Sequence, residues 1–455
     1  MLKERTVAFH TLGCKLNFAE TSCISQSLEK DGFKKVAFEE AADVYVINTC
    51  SVTENADKEC RSIIRKVKRI SPSSHIVIIG CYAQLKPQEI ASIEGVDLVL
   101  GAKEKFRISE YLKNISPKKS SAELGTIYSC DIHDVNFFES SYSFGERTRA
   151  FLKVQDGCDY NCTYCTIPLA RGKSRSDTIT HAVEQANLLA ELGVKEIVLT
   201  GVNIGDFGIQ NEKREETFFE LIQQLDEVED IERFRISSIE PNLLKDEIIE
   251  FVAQSKRFMP HFHIPLQSGS DAILKLMKRR YLTSLYRERL EKIKAMMPHA
   301  CIGLDVIVGF PGETEKEFLE TYNFINELEI SYLHVFTYSE RDNTEAISLP
   351  GIISKEIRHE RNKRLRILSE KKKRAFYEKH MGDSRKVLFE LAKDDGFTEG
   401  FTDNYIKVKI AESNLAGKIF IVQLNEIDGD SMKPGLLSPY YPATPALNRQ
   451  LQLTQ

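Results

Sequence analysis

The 455-residue chain reads as an α/β protein in three parts: an N-terminal open parallel α/β sheet domain, a central (β/α)6 partial barrel and a small C-terminal antiparallel β-barrel. Three observations predict this. Apolar runs alternate with helical periodicity over the first hundred residues; the same rhythm resumes at Arg149 for six units; from Val387 apolar and polar positions alternate. The length suits about three domains. The expected divisions are 1–117 for the sheet domain, 118–146 for a linker, 147–380 for the barrel with a connecting basic helix, and 381–445 for the small barrel.

In the first part VAFHTLGC ends at Cys14, DVYVINTC at Cys50 and HIVIIGC at Cys81, while DLVLG follows without a cysteine. Helical periodicity fills NFAETSCISQSLEKDG, ENADKECRSIIRKVKRI and PQEIASI between them. Each of the three cysteines therefore stands at the carboxyl end of a parallel strand, where the loops of such sheets converge, so residues far apart in sequence can meet.

Residues 115–148, rich in Ser, Lys and Gly, lose the rhythm. AFLKVQDG, EIVLTGV, RFRISSIEP, HFHIPLQSG, IGLDVIVGFPG and SYLHVFTYS then read as six buried strands separated by helices, an arrangement whose chemistry belongs at the strands' carboxyl ends. Residues 353–380 are helical, and VLFELAK, GFTEGFTDNYIKVKI and KIFIVQLNEI form the last part.

Net charge is −5, which excludes a global positive field and leaves any nucleic-acid surface to local patches. Neither a signal peptide nor a membrane span is read from the sequence, so a cytoplasmic location is expected, with no membrane partner. In that reducing compartment ten cysteines point to metal or catalysis rather than disulfides.

GCDYNCTYC packs Cys158, Cys162 and Cys165 directly after the first barrel strand. Thiolates suit zinc or iron–sulfur clusters, and three of them on a four-iron cube leave one iron open, as a reactive site needs. Structural zinc is the rival, but zinc ribbons pair two C-x2-C knuckles and no second knuckle is present. Cys23, Cys60, Cys130 and Cys301 lack companions at ligand spacing and are expected to be buried as small hydrophobes; His261 and His263 are read as structural residues near the cavity mouth.

Cys-x3-Cys-x2-Cys with Tyr164 before the last cysteine, opening a six-unit barrel, resembles the radical S-adenosylmethionine (SAM) superfamily. The resemblance implies a 4Fe-4S cluster whose open iron holds S-adenosyl-L-methionine and cleaves it to a deoxyadenosyl radical, chemistry that the cofactor supplies and the protein positions. With Cys14, Cys50 and Cys81 ahead of the barrel and a small strand domain behind it, nearly the whole chain resembles the methylthiotransferases. That implies a second, auxiliary 4Fe-4S cluster on Cys14, Cys50 and Cys81, a C-terminal TRAM-like RNA-binding domain, and an electron donor and a sulfur source as further partners.

TLGCKLNFAET, TGVNIGDFG and GFTDNYIKV resemble the branch acting on threonylcarbamoyladenosine; Lys15 follows Cys14 where the isopentenyl branch has Gln and the ribosomal branch Pro. The resemblance implies insertion of a methylthio group at C2 of N6-threonylcarbamoyladenosine beside the tRNA anticodon. The alternatives are N6-isopentenyladenosine or a ribosomal-protein aspartate, and, in another class, a non-catalytic iron–sulfur RNA-binding protein. Residues 353–380 hold eleven Lys or Arg against four Glu, a local basic surface suited to the anticodon stem-loop of tRNA. Its single-stranded loop makes extrusion of the target base inexpensive.

Arg171 and Arg175, after the cluster loop, are expected to clamp a carboxylate or a phosphate. Gly201 sits where the family's loop receives the methionyl amino group; the usual Gly-Glu-Glu is absent and Asp206 comes several residues later. Gly309 and Gly312 in GFPGET match the family's adenine-contacting turn, and Ser237, Glu240, Gln267 and Ser268 are expected cofactor contacts, with helix capping as the competing role for these polar residues.

Overall fold

The computed structural model describes residues 5–50, 54–113, 115, 124–145, 148–210, 212–391 and 396–440. The chain divides into two compact units, 1–370 and 371–455.

The first unit opens with β1 (Thr6–Thr11), β2 (Lys34–Lys35), β3 (Val44–Thr49), β4 (His75–Gly80), β5 (Leu98–Leu100) and β6 (Thr126–Tyr128). They form one all-parallel sheet in the order β2-β1-β3-β4-β5-β6. Every residue of β3 is buried, as expected for a parallel strand covered on both faces. Alternation sends Tyr45, Ile47, Ile76 and Ile78 against Ile64 and Val67 of α2 (Glu54–Ile70). Val44, Val46, Val77 and Ile79 pack on the other face against Ile24 and Leu28 of α1 (Lys15–Lys30).

β6 lies inside the segment expected to be a linker. Its three residues are half-buried or exposed and lack an apolar pattern, which is why the sequence hides this edge strand. Residues 118–123 and 146 of that segment fall outside the described residues.

β7 (Ser141–Tyr142) pairs antiparallel with β8 (Arg149–Lys153), and β9 (Gln155–Asp156) with β10 (Arg175–Ser176). β11 (Glu196–Thr200) is followed by the small hairpin β12 (Ile209–Gln210) and β13 (Lys213–Arg214), then by β14 (Arg233–Ile236), β15 (His261–His263), β16 (Cys301–Val308) and β17 (Tyr332–Thr337). β14-β11-β8 and β15-β16-β17 are parallel sheets joined by the bridges Phe234↔Phe258 and Ser238↔His263, which completes the six-stranded part-barrel. Leu152, Ile197, Leu199, Phe234, Phe262, Ile302 and Leu304 belong to its main apolar core. The alternate positions Arg149, Glu196, Arg233 and Arg235 form an ionic cluster instead: Glu196 lies 2.8 Å from Arg235, 3.6 Å from Arg233 and 3.8 Å from Arg149.

The basic run of residues 353–380 forms the helix Lys355–Lys379. Not all of its charge lies on the surface. Arg358 and Arg361 are buried, donating to the Tyr338 carbonyl at 3.0 Å and the Glu313 carbonyl at 2.7 Å, because one face of the amphipathic helix must pack.

In the second unit β18 (Ser384–Phe389), β19 (Thr398–Thr402), β20 (Lys407–Ile410), β21 (Ile419–Asp428) and β22 (Ser431–Pro439) close a barrel in the order β18-β19-β20-β22-β21. Val387, Phe389, Val408, Val422, Leu424 and Met432 are fully buried. β22, SMKPGLLSP, escapes a sequence reading because Pro434 and Gly435 interrupt it; the β21–β22 register shifts at Leu424, opposite Pro434, and so accommodates them. Residues 441–445 of the expected small barrel lie outside the described residues.

Candidate active site

Cys14 follows β1, Cys50 follows β3 and Cys81 opens the short helix α3 (Cys81–Leu85) directly after β4. β1, β3 and β4 are neighbours in the sheet, so the three cysteines share one edge. Two glycines make the tight exits possible. Gly13 has φ +99°, and a Cβ there would lie 2.6 Å from the Cys50 Cβ; Gly80 has φ +97°, and a Cβ would lie 2.4 Å from the Thr49 carbonyl. Cys50 thus packs against the residue beside Cys14, and burial raises the Cys81 thiol. Asn17 ties the loops together, donating to the Leu12 carbonyl at 2.8 Å and the Thr49 carbonyl at 3.2 Å.

The second trio follows β8 and β9. The Cys158 amide donates to the Gly172 carbonyl at 3.0 Å, and the Thr163 carbonyl accepts from the Ala346 amide at 2.8 Å, so the loop is pinned at both ends. Each sulfur has a donor: Tyr160 N–H to Cys158 at 3.4 Å, the Arg279 guanidinium to Cys162 at 3.0 Å, and Ile167 N–H to Cys165 at 3.4 Å. Burial pushes the Cys158 and Cys165 thiols up to about 12 and also raises Cys162, against the charge of Arg279. Buried sulfurs that are costly to ionise yet furnished with hydrogen-bond donors fit a bound cationic group that takes them as thiolates.

Between the trios lies a buried ionic network. Glu20 of α1 pairs with Lys105 at 2.6 Å, Arg171 at 3.1 Å and Lys153 at 3.3 Å; Asp156 pairs with Arg171 at 2.9 Å and Arg175 at 3.2 Å. Against the effect of burial, Arg171, Lys105 and Lys153 hold the Glu20 carboxyl well below the usual carboxylate range. Arg171 also donates to Asn17 at 2.6 Å, and its charge opposes the rise that burial imposes on the Cys81 thiol. In place of the expected clamp, both guanidiniums pair with carboxylates of the protein: Arg171, through Glu20 and Asp156, joins the sheet domain to the barrel, and Arg175 pairs with Asp156 within the barrel.

Known proteins resemble this chain. The model described as uncharacterized protein family UPF0004 matches residues 6–101, and that of the radical SAM superfamily matches residues 152–325. A threonylcarbamoyladenosine tRNA methylthiotransferase MtaB of Bacillus subtilis is 40% identical over 426 residues, covering 92% of this chain and 93% of its own. One from Aquifex aeolicus is 39% identical over 414 residues, covering 91% and 98%. The chain belongs to the MtaB-type tRNA methylthiotransferases of the radical SAM superfamily. A tRNA-2-methylthio-N(6)-dimethylallyladenosine synthase of Wolinella succinogenes stands further off at 34% over 428 residues, covering 91% and 96%. Among solved structures, the radical S-adenosylmethionine methyltransferase TsrM of Kitasatospora setae, with cobalamin and a [4Fe-4S] cluster bound, shares the fold at TM-score 0.53 and 13% identity, covering 76% of this chain and 74% of its own. As a radical SAM methylthiotransferase the protein is a transferase that works with S-adenosylmethionine and two 4Fe-4S clusters.

Of the other expected residues, Glu240 and Tyr164 meet at the second trio through Arg279. Glu240 pairs with Arg279, which also reaches the Tyr164 hydroxyl at 3.4 Å. Tyr164 meets Phe310 edge-on at 6.3 Å, so the GFPGET turn bearing Gly309 and Gly312 backs the cluster loop. Gly201, after β11, faces Gln155, whose side-chain oxygen accepts from the Asn203 amide at 2.9 Å. The Ser237 Oγ, Asn203 Oδ1 and Asn242 Oδ1 atoms are buried without a hydrogen-bond partner among the described residues, which fits a polar ligand such as S-adenosylmethionine. Ser268 is otherwise engaged: its hydroxyl bonds Thr321 at 3.2 Å and accepts from the Ser270 amide at 3.2 Å. Gln267, at φ +63°, bridges in parallel to Val306 of β16. Asp206 pairs with Arg214 at 3.2 Å and accepts from Asn203 at 2.7 Å.

The methylthiotransferase barrel also holds residues that sequence reasoning missed. Arg279 sits in KLMKRRY and looked like one more basic residue; no spacing rule marks it. His263, Asp305 and His334 come from three adjacent strands and bring their ligand atoms within 4.8 Å of one another. His263 bonds Ser238 at 2.7 Å on one ring nitrogen and lies 3.2 Å from Asp305 on the other, while His261 meets the Tyr332 hydroxyl at 3.0 Å. Lys15 feels the charges of Arg149, Cys14, Arg235 and Asp305, and burial together with Arg149 lowers its ammonium to about 8. Cys60 and Cys301 are buried, as expected, and Cys23 and Cys130 are half-buried.

Proposed function

We propose that the protein inserts a methylthio group at C2 of N6-threonylcarbamoyladenosine beside the anticodon of tRNA. The observation that carries this reading is the link through Arg171: paired with Asp156 at 2.9 Å at the approach to the second trio, it donates at 2.6 Å to Asn17, which ties together the loops bearing Cys14 and Cys50 of the first. Relatives named for the threonylcarbamoyl substrate, at 38–40% identity over more than nine-tenths of the chain, support the choice of base.

Cys158, Cys162 and Cys165 would hold the cluster that takes S-adenosylmethionine, and Cys14, Cys50 and Cys81 the auxiliary cluster. When bound, these groups supply radical formation and sulfur for the methylthio group. The protein's own part is placement. Arg279 holds Glu240 and donates to the Cys162 sulfur, stabilising charge there. Ser237, Asn203 and Asn242 offer unspent polar atoms to the amino-acid and ribose groups of the cofactor. Gly201, Gln267, Gly309 and Gly312 stand as further cofactor contacts.

A groove of about 470 Å³ lined by Lys58, Phe336, Lys355 and His359 supports an RNA loop as substrate, combining cationic groups with an aromatic face for an unstacked base. A tRNA substrate suits a cytoplasmic location, and no helix among the described residues is long and apolar enough to cross a membrane. Nucleoside mass spectrometry of a strain lacking the gene tests the reading: the methylthiolated threonylcarbamoyl nucleoside should vanish, and its persistence at the parental level would refute the substrate.

A further inference from the structure

His263 closes β15, Asp305 lies within β16 and His334 within β17. The parallel register sets Asp305 directly beside His334, and His263 beside Gly303, which shares a face of β16 with Asp305. Phe262, Leu304 and Leu333, one position away in each strand, belong to the apolar core, so the three polar side chains share the opposite, inner face of the part-barrel. There their ligand atoms all lie within 4.8 Å of one another. The backbone beneath them is fixed: the His263 carbonyl accepts from the Ile239 amide at 3.0 Å, and the Asp305 carbonyl from the Leu266 and Gln267 amides at 3.1 and 2.8 Å.

Two observations separate this cluster from an ordinary hydrogen-bonded core. His263 Nδ1 lies 2.7 Å from the Ser238 hydroxyl, whereas its Nε2 is buried without a hydrogen-bond partner among the described residues, although the Asp305 carboxylate is only 3.2 Å away. The carboxylate therefore stands beside Nε2 and out of line with it. That separation matches the spacing of about 3.0–3.4 Å between neighbouring ligand atoms on an ion with bonds of about 2.0–2.1 Å. The second observation is Tyr332, which fixes both imidazoles. Its ring covers Gly303, where a Cβ would collide with it, lies near-parallel to His263 at 6.2 Å and meets His334 edge-on at 5.2 Å. His334 is exposed, so the cluster is reachable from solvent.

We propose that His263 Nε2, a ring nitrogen of His334 and a carboxylate oxygen of Asp305 bind one divalent transition-metal ion, a third metal centre besides the two clusters. Two imidazoles and one carboxylate suit zinc or ferrous iron, and three protein ligands leave a position for water or an oxygen ligand entering the part-barrel. Ser238 completes the site. With Nδ1–H donated to its hydroxyl, His263 keeps the Nε2 lone pair for the metal, the outer hydrogen bond usual for a metal-bound histidine. The donor set contains no sulfur, which distinguishes this centre from both cysteine trios, and it is independent of which base the protein modifies.

The test uses full-length protein carrying both clusters, dialysed anaerobically to equilibrium against graded free Zn²⁺, with zinc and iron counted together by elemental mass spectrometry. The wild type should take up one zinc per chain with its iron unchanged. Ser238→Ala, which keeps all three ligands, should raise the zinc Kd by about 10- to 100-fold, the usual cost of an outer hydrogen bond to a ligand. His334→Ala, at an exposed position, and Asp305→Asn should each raise it further while retaining the iron of the wild type. Absence of saturable zinc uptake by the wild type would overturn the site. So would an affinity that His334→Ala and Asp305→Asn leave unaltered, or zinc that enters only as iron leaves the cysteines.

Discussion

Arg279 donates a hydrogen bond to the Cys162 sulfur at 3.0 Å while its other terminal nitrogen pairs with Glu240. One buried guanidinium thus connects a cysteine of the cluster loop to a carboxylate from the strand end after β14. Hydrogen bonds to sulfur stabilise the more negative, reduced state of an iron–sulfur cluster. Arg279→Met should therefore shift the reduction potential of the barrel cluster to more negative values, measured by electron paramagnetic resonance during a redox titration. An unchanged potential would show that the contact is structural only.

Glu20 pairs with Lys105, Lys153 and Arg171, and Asp156 with the last two of them. Glu20→Gln leaves three buried cations with less compensation and should destabilise the first unit by roughly 3–5 kcal/mol, read as a fall in the denaturation midpoint. The folded-state value of Glu20 is depressed. Its contribution is therefore complete above the unfolded value near about 4.3 and is lost as pH falls toward the folded one. Glu20→Gln should flatten the dependence of stability on pH in that acidic window; an unaltered slope would argue against the ionised network.

The two trios should divide the reaction. Cys158→Ala is expected to abolish deoxyadenosine formation. Cys50→Ala should retain S-adenosylmethionine cleavage while stopping methylthio insertion. Chromatography of deoxyadenosine beside mass spectrometry of the RNA distinguishes the two outcomes, and equal loss of cleavage in both variants would defeat the division.

Ending the chain before Met381 removes the closed barrel of β18 to β22. RNA affinity should weaken more than cofactor cleavage, and the slope of log affinity against log salt should become shallower as phosphate contacts are lost. Fluorescence anisotropy with an anticodon stem-loop measures both; an unaltered affinity would remove this domain from RNA binding.

The elements legible in the sequence are those with strong local pattern. VYVINT and HIVIIG are continuous apolar runs, and the cysteines at their ends inherit their placement from parallel-sheet topology. Thr126–Tyr128 and SMKPGLLSP carry no such pattern; the first is held as a strand by Leu98–Leu100, distant in sequence, and the second by hairpin pairing with Ile419–Asp428. The same contrast governs the site. Cys-x3-Cys-x2-Cys announces itself through spacing, whereas Arg279 acquires its meaning only when the chain brings it to Cys162, 117 positions earlier. Arg171 shows the opposite effect: its position beside the cluster loop suggested a ligand clamp, but Glu20, 151 positions away, claims it.

Iron and acid-labile sulfide, quantified in anaerobically prepared protein, test most directly whether both cysteine trios carry clusters. The wild type should hold about eight irons per chain, and replacing either complete trio, Cys14, Cys50 and Cys81 or Cys158, Cys162 and Cys165, with alanine should leave about four. A wild type with about four irons, or a Cys14, Cys50 and Cys81 variant that keeps all of its iron, would contradict the two-cluster account.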